Sequence, residues 1–271
     1  MQRTLVIAEV GVNHQGDVAQ AKALIESARE CGCNAVKFQA YVAETRAKPG
    51  NEVYDVLKAC ELDYEKQTEL KTHADKVGIE FFSTPYDETM LFFLIERLGL
   101  RRVKLSSFDV TNKKMLLAVN EYARNLSSLG VILSTGMANY KDIDVAVRCM
   151  PNVQHLTLMH CVSAYPTQEE RVNLSAIKTL RQVFNSNEVG YSDHTSNILA
   201  PVLAVIAGAT VIEKHFTLDL NNGAADNPVS ADPKMMKQMV EVIRAHEEML
   251  GDGLLKAQDV EGQSFAYRRR S

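Results

Sequence analysis

Strand-like runs alternate with helix-like segments along the whole chain, and this alternation is the strongest constraint on its fold. Eight runs are rich in apolar and β-branched residues, and they cover 5–11, 35–40, 79–85, 102–107, 131–136, 156–162, 188–194 and 210–216. Segments with helical apolar spacing follow nearly every run, at 17–31, 65–77, 87–98, 112–126, 139–149, 173–184, 196–207 and 233–249. Strands that alternate with helices in this way are typical of parallel sheets.

No linker rich in Gly, Pro or Ser divides these units. A closed (β/α)8 barrel is built from eight such units, whereas an open doubly wound sheet usually has fewer strands. Single barrels routinely reach about 250 residues, so a length of 271 residues requires no second domain. We therefore predict an α/β fold in which residues 1–271 form one TIM-barrel domain.

The composition argues against several classes of partner. The chain has 30 basic and 34 acidic residues and a net charge of −4, which does not favour a nucleic-acid binder. No apolar run reaches the roughly 20 residues that span a bilayer, and the first residues lack an export signal. Five cysteines without CxxC spacing favour reduced thiols. We expect a cytoplasmic protein with no membrane or nucleic-acid partner.

Polar side chains stand at the ends of all eight strand-like runs. They are Glu9, Lys37 with Gln39, Ser83 with Thr84, Lys104 with Ser107, Ser134 with Thr135, His160, 192–194 and 213–215. Long connections at 41–64, 162–172 and 217–232 extend the same face of the predicted barrel. Active sites of TIM barrels lie at this carboxyl-terminal face, so the sequence predicts a site there.

Alternation within a run predicts which polar side chains face the barrel interior. Val36 and Phe38 share one face of their run, and Lys37 shares the opposite face with Gln39. Because the outer face of the sheet packs against helices, Lys37 should point inward.

The same alternation places His194 and His215 inward at the ends of adjacent strands, about 4.8 Å apart. Two imidazoles in this position can share one divalent metal ion, and Asp193 and Glu213 lie beside them. The alternative is that each is a core histidine held by a hydrogen bond.

Cationic and hydroxyl side chains collect on the second to fifth runs. The lysines are Lys37 and Lys104, and the hydroxyls belong to Ser83, Thr84, Ser107, Ser134 and Thr135. Gly136 lets a backbone N–H approach an anion closely, and Asn139 begins a helix whose dipole adds to the attraction. This set is typical of a site for a phosphate and a carboxylate.

These motifs resemble those of the sialic acid synthase family. They are IAEVGVNHQG (7–16), AVKFQ (35–39), FFSTPYD (81–87), KLSSFDVTN (104–112), LSTGMA (133–138), HCVSAYP (160–166), GYSDHT (190–195) and IEKHFTLD (212–219). The resemblance implies a TIM barrel that condenses phosphoenolpyruvate with an acylated amino-hexose aldehyde such as N-acetylmannosamine. The products would be a nonulosonic 2-keto acid and inorganic phosphate.

The resemblance also implies roles for individual residues. His194 and His215 would hold Mn²⁺ or Mg²⁺. The phosphate and carboxylate of phosphoenolpyruvate would be bound by Lys37, Thr84, Lys104, Ser107, Ser134, Gly136 and Ser192. Glu9, Glu213 and Asp226 would handle sugar hydroxyls and water, with Gln39 and Tyr165 lining the site. The catalytic set would be Glu9, Lys37, Lys104, Asp109 and Glu213.

The chain departs from the family pattern in three places. Phe108 and Asp109 stand where the family usually has Gly and Glu, and that carboxylate is a candidate for proton handling. Ser163, near the phosphate, and Asn227 replace the Asn and His of many members. The chain ends near an Arg-rich stretch, so we expect the family's small antifreeze-like domain to be absent. Members of the resembled family are dimers, so a homodimer is one possible state of this protein.

Two alternatives remain at this stage. A Schiff-base aldolase needs an inward lysine with a lowered pKa, for which Lys104 or Lys214 could serve, but alternation turns Lys214 away from the interior. A non-catalytic relative that binds sugar and phosphoenolpyruvate is the second alternative, suggested by Asp109 and the missing domain. The acceptor sugar, and whether it is phosphorylated, stay open.

Overall fold

A computed structural model describes residues 3–184 and 188–269. Eight parallel strands form a nearly closed barrel in the order β3-β2-β1-β8-β7-β6-β5-β4, with β3 and β4 side by side across the seam. The strands are β1 (Leu5–Glu9), β2 (Ala35–Ala40), β3 (Glu80–Pro85), β4 (Arg102–Leu105), β5 (Gly130–Ser134), β6 (His155–His160), β7 (Val189–Asp193) and β8 (Val211–Phe216). Each corresponds to one predicted run, which confirms the TIM-barrel prediction.

Helices surround this sheet and confirm the predicted helical segments. They are α1 (Val18–Glu30), α4 (Tyr64–Val77), α5 (Glu88–Phe92, continued by a π-helical turn at Phe93–Arg97), α6 (Lys113–Asn125), α7 (Tyr140–Arg148), α8 (Ser175–Val183), α9 (Leu199–Ile206) and α10 (Pro233–Leu250). Asp87, Asn112 and Asn139 cap the N-termini of α5, α6 and α7 by accepting hydrogen bonds from backbone N–H groups.

The long connections, which the sequence pattern predicts as loops, contain short helices and one short strand. Two short helices, α2 (Ala43–Arg46) and α3 (Glu52–Ala59), lie between β2 and α4. They form because Tyr41, Ala43 and Leu57 bury a small apolar cluster of their own over this part of the barrel. After β8, a two-residue strand β9 (Ser230–Ala231) pairs with the end of β8. Single 3-10 turns occupy Ser107–Asp109, Glu169–Arg171 and Asn227–Val229, and a longer one occupies Asp259–Tyr267.

The main apolar core lies between the outer face of the sheet and the helices. Val36 and Phe38 of β2 are fully buried there together with Leu24 of α1 and Leu70 of α4. Burying these side chains is the main stabilising contribution to such a fold. The opposite face of β2 is therefore free to carry Lys37 and Gln39 into the interior.

Arg244 of α10 fastens the amino-terminal end of the barrel. Its guanidinium donates hydrogen bonds to the carbonyl oxygen of Thr4 at 2.9 Å and to Oδ1 of Asn34 at 2.8 Å. It also pairs with Glu247 at 3.0 Å, and Glu247 in turn accepts from the backbone N–H of Thr4 at 2.6 Å. The last helix is thus tied to β1 at the end opposite the polar strand ends.

Among the described residues, no helix combines the length and the apolar character needed to cross a membrane.

Candidate active site

A cavity of about 420 Å³ opens at the carboxyl-terminal ends of the strands. Its lining includes most of the predicted site residues, namely Glu9, Lys37, Gln39, Thr84, Lys104, Ser107, Ser134, Ser163, Tyr165, Ser192, His194, Glu213 and His215. These residues come from β1 to β8 and the loops that follow, as expected where parallel strands close into a barrel. Convergence of the strand ends thus brings both lysines, several hydroxyls and the histidine pair into one space. Ser83 and Thr135 of the predicted hydroxyl set do not line the cavity, because their hydroxyls donate to Gln67 and to the carbonyl oxygen of Met159.

Gly136 and Asp226 belong to the predicted set and lie directly behind the lining. A Cβ atom on Gly136 would overlap the hydroxyls of Ser163 and Ser107, so only glycine allows this close approach. Asp226 Oδ2 lies 3.3 Å from Nδ1 of His215 and 3.4 Å from the backbone nitrogen of Val12.

Asp109 is the predicted catalytic residue that the structure places apart from the cavity lining. Its Oδ2 accepts hydrogen bonds from the backbone N–H of Ser106 at 3.2 Å and from the Ser106 hydroxyl at 2.7 Å. Its Oδ1 accepts from Asn112 at 3.1 Å. The carboxylate therefore caps its own turn, which is a structural use of this side chain.

Four buried charges form a chain across the floor of the cavity. Lys37 Nζ lies 2.7 Å from Oε2 of Glu9 and 3.5 Å from Oε2 of Glu213. Lys104 donates to Oε1 of Glu213 at 2.9 Å and to its Oε2 at 3.2 Å. Two ammonium groups and two carboxylates thus balance one another, and Thr84 lies within hydrogen-bond distance of Lys37 at 3.2 Å.

Burial and pairing act in opposite directions on these groups. Burial disfavours the charged form of Lys37, but Glu213 and Glu9 outweigh it and raise the pKa of Lys37 above its ordinary value. Burial dominates at Lys104, whose pKa is lowered although Glu213 offsets part of the effect. Burial would raise the pKa of Glu213, but Lys104 and Lys37 lower it. Burial does raise the pKa of Glu9, which is therefore the more easily protonated carboxylate.

The histidine pair faces the cavity beside this chain, as the strand alternation predicts. The ring centroids of His194 and His215 are 5.6 Å apart, and Tyr165 packs on His194 with its centroid at 4.1 Å. Nδ1 of His194 lies 2.6 Å from the carbonyl oxygen of Val162. A carbonyl oxygen only accepts, so Nδ1 carries the proton and Nε2 keeps its lone pair.

The electrostatic surroundings keep the His194 ring neutral at neutral pH. Burial, helped by the neighbouring His215, lowers the pKa of His194 to about 3. Burial also disfavours the charged form of His215, but Asp226 outweighs it and raises the pKa of His215. The buried Nδ1 of His215 has no well-directed hydrogen bond to any described residue, although Asp226 is within ion-pair distance.

This donor chemistry fits a divalent metal ion held by two imidazoles. A neutral imidazole whose second nitrogen keeps its lone pair is a common ligand for such ions. Nε2 of His194 lies 3.5 Å from the Ser192 hydroxyl, which donates to Glu213 instead. Across residues 3–184 and 188–269, no three His, Cys, Asp or Glu side chains converge as a metal-binding group.

Lys214 lies on the other face of β8, as the alternation predicts. Its side chain has 0% exposure and pairs with Asp193 at 2.6 Å. Lys104, the other candidate for a Schiff base, is held by both oxygens of Glu213. Lys214 therefore lies outside the cavity. Lys104 lines the cavity and burial lowers its pKa, as a Schiff base requires, but its pairing with Glu213 favours the ammonium form, which is not a nucleophile.

Several cavity residues were not singled out from the sequence. The cavity is also lined by Tyr86, Ser106, Met137 and Cys161, and by Phe108, already noted as a departure from the family pattern. These residues lie within the sequence motifs, but a single tyrosine, methionine or cysteine does not by itself indicate a functional site. Met137, in the loop after β5, has a positive φ of 64°, which is unusual for a residue other than glycine.

Arg46 of α2 is a second feature that only the structure reveals. Its guanidinium carbon lies 3.6 Å from the ring centroid of Tyr86, and its Nη1 lies 3.4 Å from Oε1 of Gln39. Both partners line the cavity. An arginine stacked on a tyrosine ring is held in a restricted orientation at the rim of the site.

The fold and the cavity define a class: a TIM barrel whose strand ends bring buried lysines, hydroxyls and a pair of histidines into one cavity. Residues 24–254 match the model of the NeuB family. The chain belongs to the NeuB family.

Named relatives and a solved structure agree with this assignment. The N,N'-diacetyllegionaminic acid synthase of Legionella pneumophila is 41% identical over 98% of this chain and 78% of that protein. The enzyme of the same name from Campylobacter jejuni is 38% identical over 100% of this chain and 84% of its own length. The crystal structure of a sialic acid synthetase from Leptospira borgpetersenii superposes with a TM-score of 0.90 at 37% identity, covering 98% of this chain and 91% of that one.

Proposed function

We propose that this protein is a nonulosonic acid synthase that condenses phosphoenolpyruvate with an acylated amino-hexose aldehyde of the N-acetylmannosamine type. One observation carries the proposal. A single cavity joins two buried lysines and a set of hydroxyls, which suit phosphoenolpyruvate, to a pair of histidines that suits a metal ion. Relatives that are named as synthases of N,N'-diacetyllegionaminic acid support this reading.

In the proposed reaction, C3 of phosphoenolpyruvate forms a bond to the aldehyde carbon of the sugar, whose oxygen takes up a proton. Water adds to C2 of the former phosphoenolpyruvate, and the C2–O bond to phosphate then breaks. The products are one 2-keto acid with three more carbons than the sugar and one inorganic phosphate.

The two buried ammonium groups, Lys37 and Lys104, suit this substrate because phosphoenolpyruvate is a multiple anion. Lys37 and Lys104 would bind its carboxylate and phosphate, helped by Thr84, Ser107, Ser134, Ser163 and Ser192 and by the space beside Gly136. The two lysines are already held in place by Glu9 and Glu213, so they would need little reorganisation on binding.

Glu9 and Glu213 would also handle protons at the sugar hydroxyls and the attacking water, together with Asp226. The raised pKa of Glu9 and the lowered pKa of Glu213 suit one acid and one base. Asp109 is also a predicted catalytic residue, but its carboxylate would have to leave its turn to reach a substrate, so we propose the cap as its main role.

His194 and His215 would hold Mn²⁺ or Mg²⁺ in this proposal. Such an ion, when bound, supplies Lewis acidity that polarises the aldehyde. Gln39 and Tyr165 line the part of the cavity where the sugar would lie. Phe108, which is 69% exposed at the rim, would contact the sugar or its acyl groups.

The proposal also includes a cytoplasmic location and a homodimeric state. All five cysteines are free thiols, which supports a cytoplasmic location. Family resemblance supports a homodimer, which light scattering coupled to size-exclusion chromatography would test.

The experiment that tests the function is phosphate release from phosphoenolpyruvate with Mn²⁺ and a panel of acylated amino-hexoses. The panel contains N-acetylmannosamine, its 6-phosphate and diacetamido-hexoses. We expect release that requires a sugar, is abolished by EDTA and is lost in His215→Ala. Donor binding without release for any sugar would instead support a non-catalytic binding protein.

A further inference from the structure

Asp193 and Lys214 form a buried ion pair behind the histidine pair. They are paired positions in the ladder between β7 and β8, and Nζ of Lys214 lies 2.6 Å from Oδ2 of Asp193. Both side chains have 0% exposure. Because side chains alternate along a strand, this pair faces away from the interior while His194 and His215, the next residues along each strand, face into it.

Thr195 joins this pair and completes a network around His194. Lys214 Nζ donates to the carbonyl oxygen of Thr195 at 2.6 Å. The Thr195 hydroxyl donates to Asp193 at 2.9 Å, and its backbone N–H donates to Asp193 at 3.2 Å. Tyr191 donates a fourth hydrogen bond to the same carboxylate at 2.8 Å.

The network restrains the backbone on both sides of His194. A buried ammonium or carboxylate without its partner is strongly unfavourable, so the side chains of Asp193 and Lys214 cannot separate at low cost. The segment from Asp193 to Thr195 is therefore held in one arrangement. The direct link through Lys214 extends the restraint to the strand end that carries His215.

We propose that Asp193, Lys214 and Thr195 are positioning residues that fix the distance and orientation between His194 and His215. This inference rests on one part of the proposed function, namely that His194 and His215 are the metal ligands. Partners that orient metal-binding histidines commonly change metal affinity by about 10-fold to 100-fold when they are removed. The network acts through the backbone, whereas such partners usually bond to the ring itself.

The network should affect metal binding more than donor binding. The lysines and most hydroxyls proposed for phosphoenolpyruvate lie on β2 to β5, away from Asp193 and Lys214 on β7 and β8. Ser192 and Glu213 adjoin the network, so loss of the network should raise the KM for phosphoenolpyruvate by a smaller factor than it raises the Kd for Mn²⁺. If the network had only a structural role, its loss would lower the stability of the protein without weakening Mn²⁺ binding more than donor binding.

The test uses the double variant Asp193→Asn/Lys214→Met, which removes both charges and so leaves neither one buried alone. Thr195→Val is a second, milder variant that removes only the hydroxyl. Mn²⁺ affinity is measured without substrate, from the electron paramagnetic resonance signal of the free ion. Amide hydrogen exchange at residues 193–195 provides a readout that is independent of metal.

Glu247→Gln is the matched control, because it weakens a different polar network at the opposite end of the barrel. We expect the double variant to raise the Kd for Mn²⁺ at least about tenfold and Thr195→Val to raise it about threefold. Hydrogen exchange at 193–195 should become faster in both variants. The control should lose thermal stability and keep the Mn²⁺ affinity of the unaltered protein.

An unchanged Mn²⁺ Kd in Thr195→Val and in the folded double variant would overturn the inference alone. If the double variant does not fold, Thr195→Val decides the question by itself. Absence of Mn²⁺ binding in the unaltered protein would overturn the metal part of the proposed function, and this inference with it.

Discussion

Lys104 of β4 donates hydrogen bonds to both carboxylate oxygens of Glu213 of β8, at 2.9 and 3.2 Å. The two strands lie on opposite sides of the barrel, four places apart in the strand order. The pair therefore spans the interior and forms the floor of the cavity. A bound anion would accept a hydrogen bond from Lys104, which the Glu213 carboxylate already holds in place.

The first prediction concerns Lys104→Met, which keeps the length of the side chain and removes its charge. A charge-assisted hydrogen bond contributes about 1.5–3 kcal/mol. We expect the Kd for phosphoenolpyruvate to rise about 10-fold to 100-fold, measured by calorimetry. Lys114→Met, which removes an exposed lysine paired with Glu88, is the control. Equal donor affinity in both variants would contradict a role for Lys104 in binding.

The second prediction separates two roles of Asp109. Asp109→Asn keeps an acceptor for the turn and removes the ability to carry a proton, whereas Asp109→Ala also removes the cap. Because both carboxylate oxygens already accept hydrogen bonds, we expect Asp109→Asn to retain kcat within about threefold. We expect Asp109→Ala to lower the free energy of unfolding by about 1 kcal/mol, measured in urea. A loss of kcat above tenfold in Asp109→Asn would instead support the proton-handling role.

The third prediction concerns Arg46→Leu at the rim of the cavity. Arg46 contacts Tyr86 and Gln39 rather than the lysines, so its loss should affect the sugar more than the donor. A hydrogen bond contributes about 0.5–1.5 kcal/mol, which corresponds to a rise in the KM for the sugar of about 2-fold to 10-fold. Arg97→Leu removes an arginine that lies over Phe92 on the outer surface and serves as the control. A change in the KM for phosphoenolpyruvate alone would contradict this assignment.

The fourth prediction concerns the pH dependence of stability at Glu247. Partial burial disfavours its charged form, but hydrogen bonds from Thr4 and Arg244 outweigh this and lower its pKa below 4.5. A carboxylate with a lowered pKa stabilises the folded state fully above its unfolded pKa and loses this contribution as the pH falls through the folded value. We expect Glu247→Gln to cost about 1–2 kcal/mol at pH 7.

That cost should begin to shrink below about pH 4.5, where Glu247 becomes protonated in the unfolded state, and should disappear as the pH falls through its lower folded pKa. Urea unfolding of both proteins between pH 7 and pH 3 measures the difference. A constant difference across this range would show that the charge of Glu247 is not what stabilises the pair.

The sequence by itself was sufficient to predict the barrel, its eight strands and the end of the barrel that carries the site. Apolar alternation with period two also placed Lys37 and His215 inside and Lys214 outside. These are properties of single segments, because the pattern of one strand reports which of its faces is buried.

Tertiary structure alone decided which charges meet. Lys104 and Glu213 are 109 residues apart, and only closure of the sheet brings them within a hydrogen bond. Closure likewise decided that Arg46 lies over Tyr86. The cap formed by Asp109 is local, but a carboxylate that can cap a turn can equally face a cavity, and the sequence does not distinguish the two. Contacts across a barrel depend on strand order and shear, which arise from the packing of the whole chain.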